Sequence, residues 1–268
     1  MKQHHIEDQM DLTQLMVHTC DINEVNGALI CLDQEKAYDK IAHSFLWVTL
    51  EKLNFPTHFI HTVKSLYLHA HTKVIINGEI STSFLIIHGI QQGDPLSCLL
   101  FNLAIESLAP MLCDSTLTGL PIPGTPHCLI VTLFADDTTI FLSTSNDYHS
   151  LLHILHDWCH VSGAKFNASK TVILPISSEP YHLSVLQSRH LHESHPPIPP
   201  QVHITQDGKP VHVLGAYLGN KVSQLGLWSP ILDKVDTSLK QWSKSRPTYD
   251  GKCLIVNMVV GGLTQYLT

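Results

Sequence analysis

Apolar and polar residues alternate in short runs along most of the chain, a pattern typical of a folded domain built around a sheet. Three mostly apolar runs predict strands: GALICLD at 27–33, CLIVTLFADDTTIFL at 128–142 and TVILPI at 171–176. Asp136 and Asp137 interrupt the second run, which we interpret as two short strands joined at this acidic pair. Asn77-Gly78 is a strong two-residue turn, so the flanking KVIIN and STSFLII predict a hairpin.

Apolar residues spaced three and four apart predict helices between these strands. They are expected around 43–53, 57–69 and 147–161, and a further helix is expected to begin near Pro95. One face of the helix over 147–161 should be buried, and it is formed by Leu151, Leu155, Trp158 and Val161. Further along, VHVLGAYLG predicts a strand with a glycine bend, and residues 226–267 predict two helices.

The predicted order of strand, helix, hairpin, helix and strand is that of a split βαβ, ferredoxin-like layer. The predicted fold class is therefore α+β, with a central antiparallel sheet backed by helices. In this layer the end of GALICLD and the tip of the FADD hairpin fall on neighbouring central strands. Asp33 is therefore expected to converge with Asp136 and Asp137, although a long stretch of chain separates them.

Residues 176–201 differ in composition from the rest of the chain. They are rich in Pro, Ser and His, which predicts an exposed loop or linker. We therefore divide the chain into a sheet-containing segment over 1–175, this linker, a hairpin over 202–222 and a helical segment over 223–268.

Composition indicates a globular chain: 44% of the 268 residues are hydrophobic and the mean hydropathy is +0.09. The apolar runs are shorter than a bilayer-spanning helix requires, and no secretory signal is visible, so no membrane contact is expected. Seven scattered cysteines without a CxxC motif predict a reducing, intracellular location. With a net charge of −7 and only two arginines, the chain lacks the basic stripe typical of proteins that bind phosphate backbones.

The acidic pair in FADD needs a chemical explanation, because like charges side by side repel. Carboxylates held within a few ångströms of one another take up a proton unless a cation is present. Two or three of them at rigid strand ends form a hard-oxygen site suited to Mg²⁺. Two such ions activate an attacking hydroxyl and stabilise a leaving phosphate oxygen. A solvated hairpin turn is the alternative interpretation of these residues taken alone.

Five motifs in this order resemble those of reverse transcriptases from non-LTR (LINE-like) retrotransposons. They are LICLDQEKAYDKI, HGIQQGDPLSCLLFNLAIE, LFADDTTIFL, SGAKFNASKT and VHVLGAYLG. The resemblance extends from about residue 5 to residue 267. It implies a polymerase palm with residual fingers elements over 1–175, a primer-grip-like hairpin over 202–222 and a partial helical thumb over 223–268.

The resemblance also implies roles for individual residues. Asp33, Asp136 and Asp137 would form the catalytic metal site for two Mg²⁺ ions, with Mn²⁺ as a substitute. The nucleotide-binding residues would be Tyr38 as the steric gate against the ribose 2′-OH, Gln92 and Gly93 in the nucleotide and template pocket, and Lys170 near the departing pyrophosphate. The implied substrates are an RNA template, a DNA primer and dNTPs.

The chain also departs from the family pattern. Where the family has basic residues before QGDP, this chain has His88 and Gln91. The resemblance implies that the chain is normally part of a larger polyprotein with fingers and endonuclease segments, and that polymerase activity is impaired without most of the fingers. Two alternatives stay open. One is a catalytically inactive remnant that binds nucleic acid or a partner, and the other is a two-metal nuclease, which leaves QGDPLS and Tyr38 unexplained.

The histidines suggest a further, weaker hypothesis. His153, His156 and His160 share one helical face opposite Leu155 and Trp158, so this face should be exposed. A zinc site there lacks a fourth ligand, because Cys159 lies toward the apolar edge. We therefore interpret these histidines as surface residues.

Overall fold

The computed structural model describes residues 6–90, 94–214 and 216–264. The helices are α1 (Ile6–Ile22), α2 (Ala37–Lys40), α3 (His43–Lys52), α4 (Thr57–Tyr67), α5 (Pro95–Glu106), α6 (Leu108–Cys113), α7 (Tyr148–Ser162), α8 (Glu179–Ser188), α9 (Gln224–Ser243), α10 (Tyr249–Val256) and α11 (Gly262–Thr264), with a π-helical turn over Asn257–Gly261. The strands are β1 (Gly27–Leu32), β2 (His71–Thr72), β3 (Ile75–Ile76), β4 (Glu79–Ile80), β5 (Phe84–Leu85), β6 (Leu120–Pro121), β7 (Cys128–Leu129), β8 (Val131–Phe134), β9 (Asp137–Ser143), β10 (Val172–Ile176), β11 (His203–Ile204), β12 (Val211–Val213) and β13 (Ala216–Leu218).

The central sheet has five strands in the order β11-β10-β1-β9-β8. Its pairs are antiparallel except for β10 with β11, which run parallel. Helices cover the sheet, so the chain has a mixed α+β fold with a central, mostly antiparallel sheet, as the sequence predicted. The expected adjacency of GALICLD and the FADD hairpin is also confirmed, because β1 pairs with β9.

Each central strand contributes side chains to two hydrophobic cores, one on either face of the sheet. Ala28 and Ile30 of β1 lie in the larger core, whereas Leu29 between them lies in the smaller one. This alternation follows from the two-residue period of a strand. Both faces are covered, which explains why GALICL reads as a continuous apolar run.

Helices α3 to α7 form most of the larger core, and the smaller core lies against α1 and the β12–β13 hairpin. Trp158 of α7 is fully buried, and its indole N–H donates to Ser107 Oγ at 2.9 Å. Leu151 and Leu155 are buried beside it, as predicted. Val161 was placed on this face wrongly, because it is 56% exposed. At about 100° per residue it lies roughly 90° from the centre of the face formed by the buried residues of α7, and Ser162 occupies the buried position.

The segment 176–201 was predicted to be an exposed loop, and the structure corrects this. It contains α8, and it contributes Val185, Leu191 and Ile198 to the larger core. The Arg189 side chain donates to the carbonyls of Ile198, Pro199 and Val202 at 2.7–3.0 Å. The few apolar residues of this segment are too widely spaced to give a periodic pattern in the sequence. The Arg189 guanidinium satisfies backbone carbonyls that would otherwise need water, so the segment can pack against the core.

Local signals located several other elements correctly. Asn77 and Gly78 both have positive φ, 52° and 85°, as the predicted two-residue turn requires. The expected hairpin is divided into two short pairs of strands. Next to the turn β3 pairs with β4, and farther from it β2 pairs with β5. Helix α5 begins at Pro95, where the Asp94 carboxylate accepts the N–H of Leu96.

The helical segment Pro95–Cys113 corrects one expectation about apolar length. By length and hydropathy alone it is sufficient to cross a bilayer. Its Leu100, Phe101, Leu108 and Leu112 are fully buried in the larger core. Packing within the protein therefore accounts for the apolar character of these positions.

Candidate functional site

The acidic site is built from the ends of β1 and β9. Leu32, the last residue of β1, pairs with Thr138, so Asp33 leaves the strand beside Asp137, the first residue of β9. The β8–β9 hairpin closes with Phe134 opposite Asp137, which places Asp136 at its tip. Asp136 and Asp137 are exposed and Asp33 is half-buried. The register therefore brings the three predicted acids to one end of the sheet.

These carboxylates are close enough to influence one another's ionisation. Although Asp137 is exposed at its edge, neighbouring atoms partly desolvate its carboxyl and raise its pKa, and the negative charges of Asp136 and Asp33 raise it further. Asp33 Oδ2 is withdrawn from solvent and accepts no hydrogen bond from any described residue. Lys170 Nζ lies 3.4 Å from this oxygen. Repelling carboxylates with an unsatisfied oxygen fit a divalent cation, because hard oxygen donors are the ligands that Mg²⁺ prefers.

The acids do not form a closed cage as they stand. Among the described residues, no three Asp, Glu, His or Cys side chains are gathered closely enough to hold a metal ion. The donor chemistry and the shared sheet end fit Mg²⁺, and the role of each acid as a ligand stays a prediction.

The loop after α7 holds Lys170 over Asp33. The N–H of Asn167 donates to the Asp33 carbonyl, and the N–H of Glu35 donates to the Lys165 carbonyl, both at 2.8 Å. Asn167 Oδ1 in turn accepts the N–H of Ser169 at 3.1 Å. Backbone bonds therefore join SGAKFNASKT to the end of the first motif. Sequence reasoning missed Asn167 as the residue that makes this connection, although an Asn two residues before a Ser is an Asx-turn signal.

Tyr38 lies in α2, beside the acidic site. Its carbonyl accepts the N–H of Ile90 at 2.7 Å, and its ring stacks on Phe101 with centroids 4.4 Å apart. Burial raises the pKa of Tyr38 to about 12, and the negative charge of Asp136 adds to this rise. The structure therefore brings Tyr38 to the same end of the sheet as Asp136.

Gln92 and Gly93, predicted for the nucleotide and template pocket, lie outside the described residues. The residues that flank them are described: Ile90 is bonded to Tyr38, and Asp94 caps α5.

Sequence reasoning also missed His212 on β12. Its imidazole opposes the rise in the pKa of Asp137. The neighbouring Val211 and Val213 lie in the smaller core, against which Phe134 at the end of β8 also packs. The His212 ring packs against Tyr217 across the hairpin, with centroids 5.1 Å apart. The sequence carried one signal, because His212 stands between two valines. The alternation of a strand that buries Val211 and Val213 leaves the His212 side chain exposed.

His156 and His160 of α7 are exposed, as predicted. The rings of His156 and His160 are parallel, with centroids 6.4 Å apart. His153 is exposed on the same helix.

Comparison with known proteins identifies the family. Residues 1–218 match the family model for reverse transcriptase (RNA-dependent DNA polymerase). The chain belongs to the reverse transcriptase family. This match includes the first four motifs, three of which carry Asp33, Tyr38, Asp136, Asp137 and Lys170, and part of VHVLGAYLG.

Curated relatives of this reverse transcriptase domain come from retrotransposable elements. The chain is 30% identical over 62% of its length to the transposon TX1 uncharacterized 149 kDa protein of Xenopus laevis. It is 31% identical over 56% to the Pol polyprotein of the R2DM element of Drosophila melanogaster, and 25% identical over 86% to that of an R2 element of Popillia japonica. The chain spans 13%, 14% and 37% of these three relatives. The resemblance to non-LTR retrotransposon reverse transcriptases is thereby confirmed.

Two solved structures are similar to this domain. One is telomerase from Candida tropicalis in complex with a TWJ fragment of telomeric RNA, with a TM-score of 0.44 and 14% identity over 63% of this chain and 29% of that chain. The other is apo telomerase from the same organism, truncated from its C-terminal domain, with a TM-score of 0.45 and 17% identity over 66% and 36%.

Proposed function

We propose that this reverse transcriptase domain is an active RNA-directed DNA polymerase that extends a primer 3′-OH on an RNA template. The observation that carries the proposal is the convergence of Asp33 with Asp136 and Asp137 at one end of the sheet. Two strand ends and a hairpin tip are rigid supports, so the carboxylates are held where charge develops during phosphoryl transfer.

We assign the sheet and its helices to a polymerase palm. The order β10-β1-β9-β8, with antiparallel pairing, supports a ferredoxin-like split βαβ layer. The β12–β13 hairpin would act as a primer grip, and the imidazole of its His212 opposes the rise in the pKa of Asp137. Helices α9 to α11 would belong to the thumb.

In this proposal Asp33 and Asp136 hold the metal ions, and Asp137 supports them. Two bound Mg²⁺ ions would supply stabilisation of the attacking and leaving oxygens. Tyr38 would exclude the ribose 2′-OH from the nucleotide site, because its ring is held rigidly against Phe101. Lys170 would give a proton to the departing pyrophosphate from its position beside Asp33. The substrates would be dNTPs with a DNA primer on an RNA template, and the chain would act within a larger polyprotein, as its relatives' names indicate.

A second candidate is a non-catalytic palm that binds nucleic acid or a protein partner. One observation favours it: the three acids share a sheet end but are not gathered to coordination distance within the described residues. A domain that catalyses no reaction does not need these acids at the distances that metal coordination requires.

Primer extension tests the two candidates directly. The purified chain is incubated with a primed RNA template, dNTPs and Mg²⁺ or Mn²⁺, and the products are resolved on a sequencing gel. The test variant is Asp136→Asn/Asp137→Asn, and the matched control is Asp114→Asn/Asp157→Asn, which removes the same charge from exposed positions elsewhere. We expect extension by the wild type and the control only. If wild type and test variant extend equally little, the polymerase proposal fails, and shortening of the primer would instead indicate a two-metal nuclease.

A further inference from the structure

A buried histidine joins α8 to the base of the β12–β13 hairpin. The His182 side chain is only 5% exposed, and its Nδ1 lies 3.0 Å from Asp207 Oδ1. A carboxylate oxygen accepts hydrogen bonds, so Nδ1 carries a hydrogen and donates to Asp207. In the neutral ring Nε2 is then the acceptor, and within the described part of the chain no group donates to it. The polar contact of this imidazole therefore runs through Nδ1.

Asp207 and Asn220 lie on the two sides of the hairpin base. Asp207 precedes β12 and Asn220 follows β13, and the Gly208 N–H donates to the Asn220 carbonyl at 2.7 Å. The Asn220 side-chain amide donates to the carbonyl of Pro175 on β10 at 2.6 Å, and the same nitrogen lies 3.2 Å from His182 Nδ1. The hairpin base is thus bonded to a helix on one side and to a strand of the central sheet on the other.

We propose that His182 is a positioning residue for the β12–β13 hairpin, and that it sets, through Asp207 and Asn220, how tightly the domain holds a primer–template. The inference rests on the proposed polymerase function, with this hairpin as primer grip, for its kinetic readout, although the hydrogen bonds themselves do not. All three residues lie outside the five sequence motifs.

The hairpin needs polar contacts at its base because packing alone does not fix its position. Val211, Val213 and Leu218 lie in the smaller core, and Phe134 from the end of β8, next to the acidic pair, packs against the same core. Apolar burial is non-directional, so it lets a hairpin slide over a core at low cost. Hydrogen bonds are directional. The bonds at the base therefore decide where the hairpin stands relative to the acidic pair.

Two substitutions at His182 separate positioning from simple stability. Asparagine places its amide nitrogen near the position of Nδ1 and so keeps a donor toward Asp207, whereas glutamine places its amide near the position of Nε2 and loses that donor. The matched control is His149→Gln. His149 also lies beside an aspartate, with Nδ1 3.5 Å from Asp147 Oδ1, but it belongs to α7, which packs in the larger core.

The first experiment measures KM for the primer–template and kcat for each variant by steady-state primer extension. We expect His182→Gln to raise KM about fivefold, the effect of one lost hydrogen bond, with kcat within about twofold of wild type. His182→Asn and His149→Gln should keep the wild-type KM. A merely structural role would reduce the folded fraction and so lower kcat with KM unchanged, and that outcome overturns the inference. Equal KM values for the two His182 variants overturn it as well.

The second experiment needs no polymerase activity. Hydrogen exchange of the amides over 207–213 is followed by mass spectrometry in the same variants, with the β9 amides over 137–143 as the internal reference. A loosened base opens the Gly208 bond more often, so His182→Gln should exchange about fivefold faster over 207–213 and unchanged over β9, whereas His182→Asn should match wild type. Faster exchange over β9 as well would indicate a general loss of stability and overturn the inference.

The two experiments fail in different ways. If exchange over 207–213 rises in His182→Gln while the wild-type chain does not extend primers, His182 still positions the hairpin and the polymerase proposal fails. If exchange there is the same in His182→Gln as in wild type, the positioning role is wrong whatever the activity.

Discussion

Lys170 Nζ lies 3.4 Å from Asp33 Oδ2, although the two residues come from opposite ends of the sheet-forming sequence. The contact depends on the Asn167 N–H, which donates to the Asp33 carbonyl and fixes the loop that carries the lysine. Both side chains are partly exposed, 65% for Lys170 and 39% for Asp33. An exposed ion pair adds little stability, so the value of this contact lies in what the lysine does at the acidic site.

Lys170→Ala is expected to slow nucleotide addition about 100-fold, because it removes a proton donor from the acidic site. The matched control is Lys165→Ala, because Lys165 lies on the same loop but its Nζ pairs with Glu35 Oε2 at 2.9 Å. It should slow nucleotide addition by less than about threefold, and both variants should keep the wild-type free energy of unfolding within about 1 kcal/mol. Single-turnover primer extension and urea unfolding provide the measurements. Equal rates for the two variants would contradict a specific role for Lys170.

Mg²⁺ is expected to stabilise the folded chain through the acidic site. A Mg²⁺ concentration ten times the Kd should raise the melting temperature by about 4 °C, since an ion that binds only the folded state stabilises that state. EDTA should reverse the rise. Asp136→Asn/Asp137→Asn should show no rise, because the repelling carboxylates are gone, whereas Asp114→Asn/Asp157→Asn should respond like wild type. Differential scanning fluorimetry checks this, and a rise retained by the first variant would place the ion elsewhere.

Trp158→Ala is expected to destabilise the domain by about 3–5 kcal/mol, since it leaves a cavity in the larger core. It also removes the donor that satisfies Ser107 Oγ. On the same helix, Val161→Ala should cost less than about 0.5 kcal/mol, because Val161 is largely exposed. Urea unfolding followed by circular dichroism measures both changes. Similar losses for the two variants would contradict the observed orientation of α7.

Asp21→Asn is expected to stabilise the chain at neutral pH. Burial raises the pKa of the Asp21 carboxyl, despite the opposing hydrogen bond from the Ser177 N–H at 3.1 Å and the charge of His182. Asparagine keeps the acceptor oxygen and removes the charge. A raised carboxyl pKa means that the folded state binds the proton more tightly than the unfolded state, so wild-type stability falls as pH rises through that pKa.

The gain from Asp21→Asn should therefore be present at pH 7 and shrink as the pH is lowered through the raised pKa of Asp21 toward 3.8. Urea unfolding at several pH values between 7 and 4 measures it. Asp157→Asn, at an exposed position on α7, serves as the control and should show no such trend. A gain that grows on acidification would show that the Asp21 charge stabilises the fold.

Sequence reasoning succeeded where a structural feature depends on neighbouring residues. The Asn77-Gly78 turn, the start of α5 at Pro95 and the hairpin at the acidic pair are all specified by local backbone preferences. It failed over 176–201, where burial of isolated apolar residues stabilises α8. It also failed at Val161, because a shift of one residue along α7 changes which side chain faces the core.

The sequence by itself determined the family and the chemical groups available: three acids, a tyrosine in the first motif and a lysine in the fourth. Only the tertiary structure decided how they are arranged. The β1–β9 register places Asp33 beside Asp137, the bond from Asn167 places Lys170 over Asp33, and the position of α5 places Phe101 against Tyr38. These contacts join residues far apart in the chain, and their geometry follows from strand register and helix packing, which no local pattern encodes.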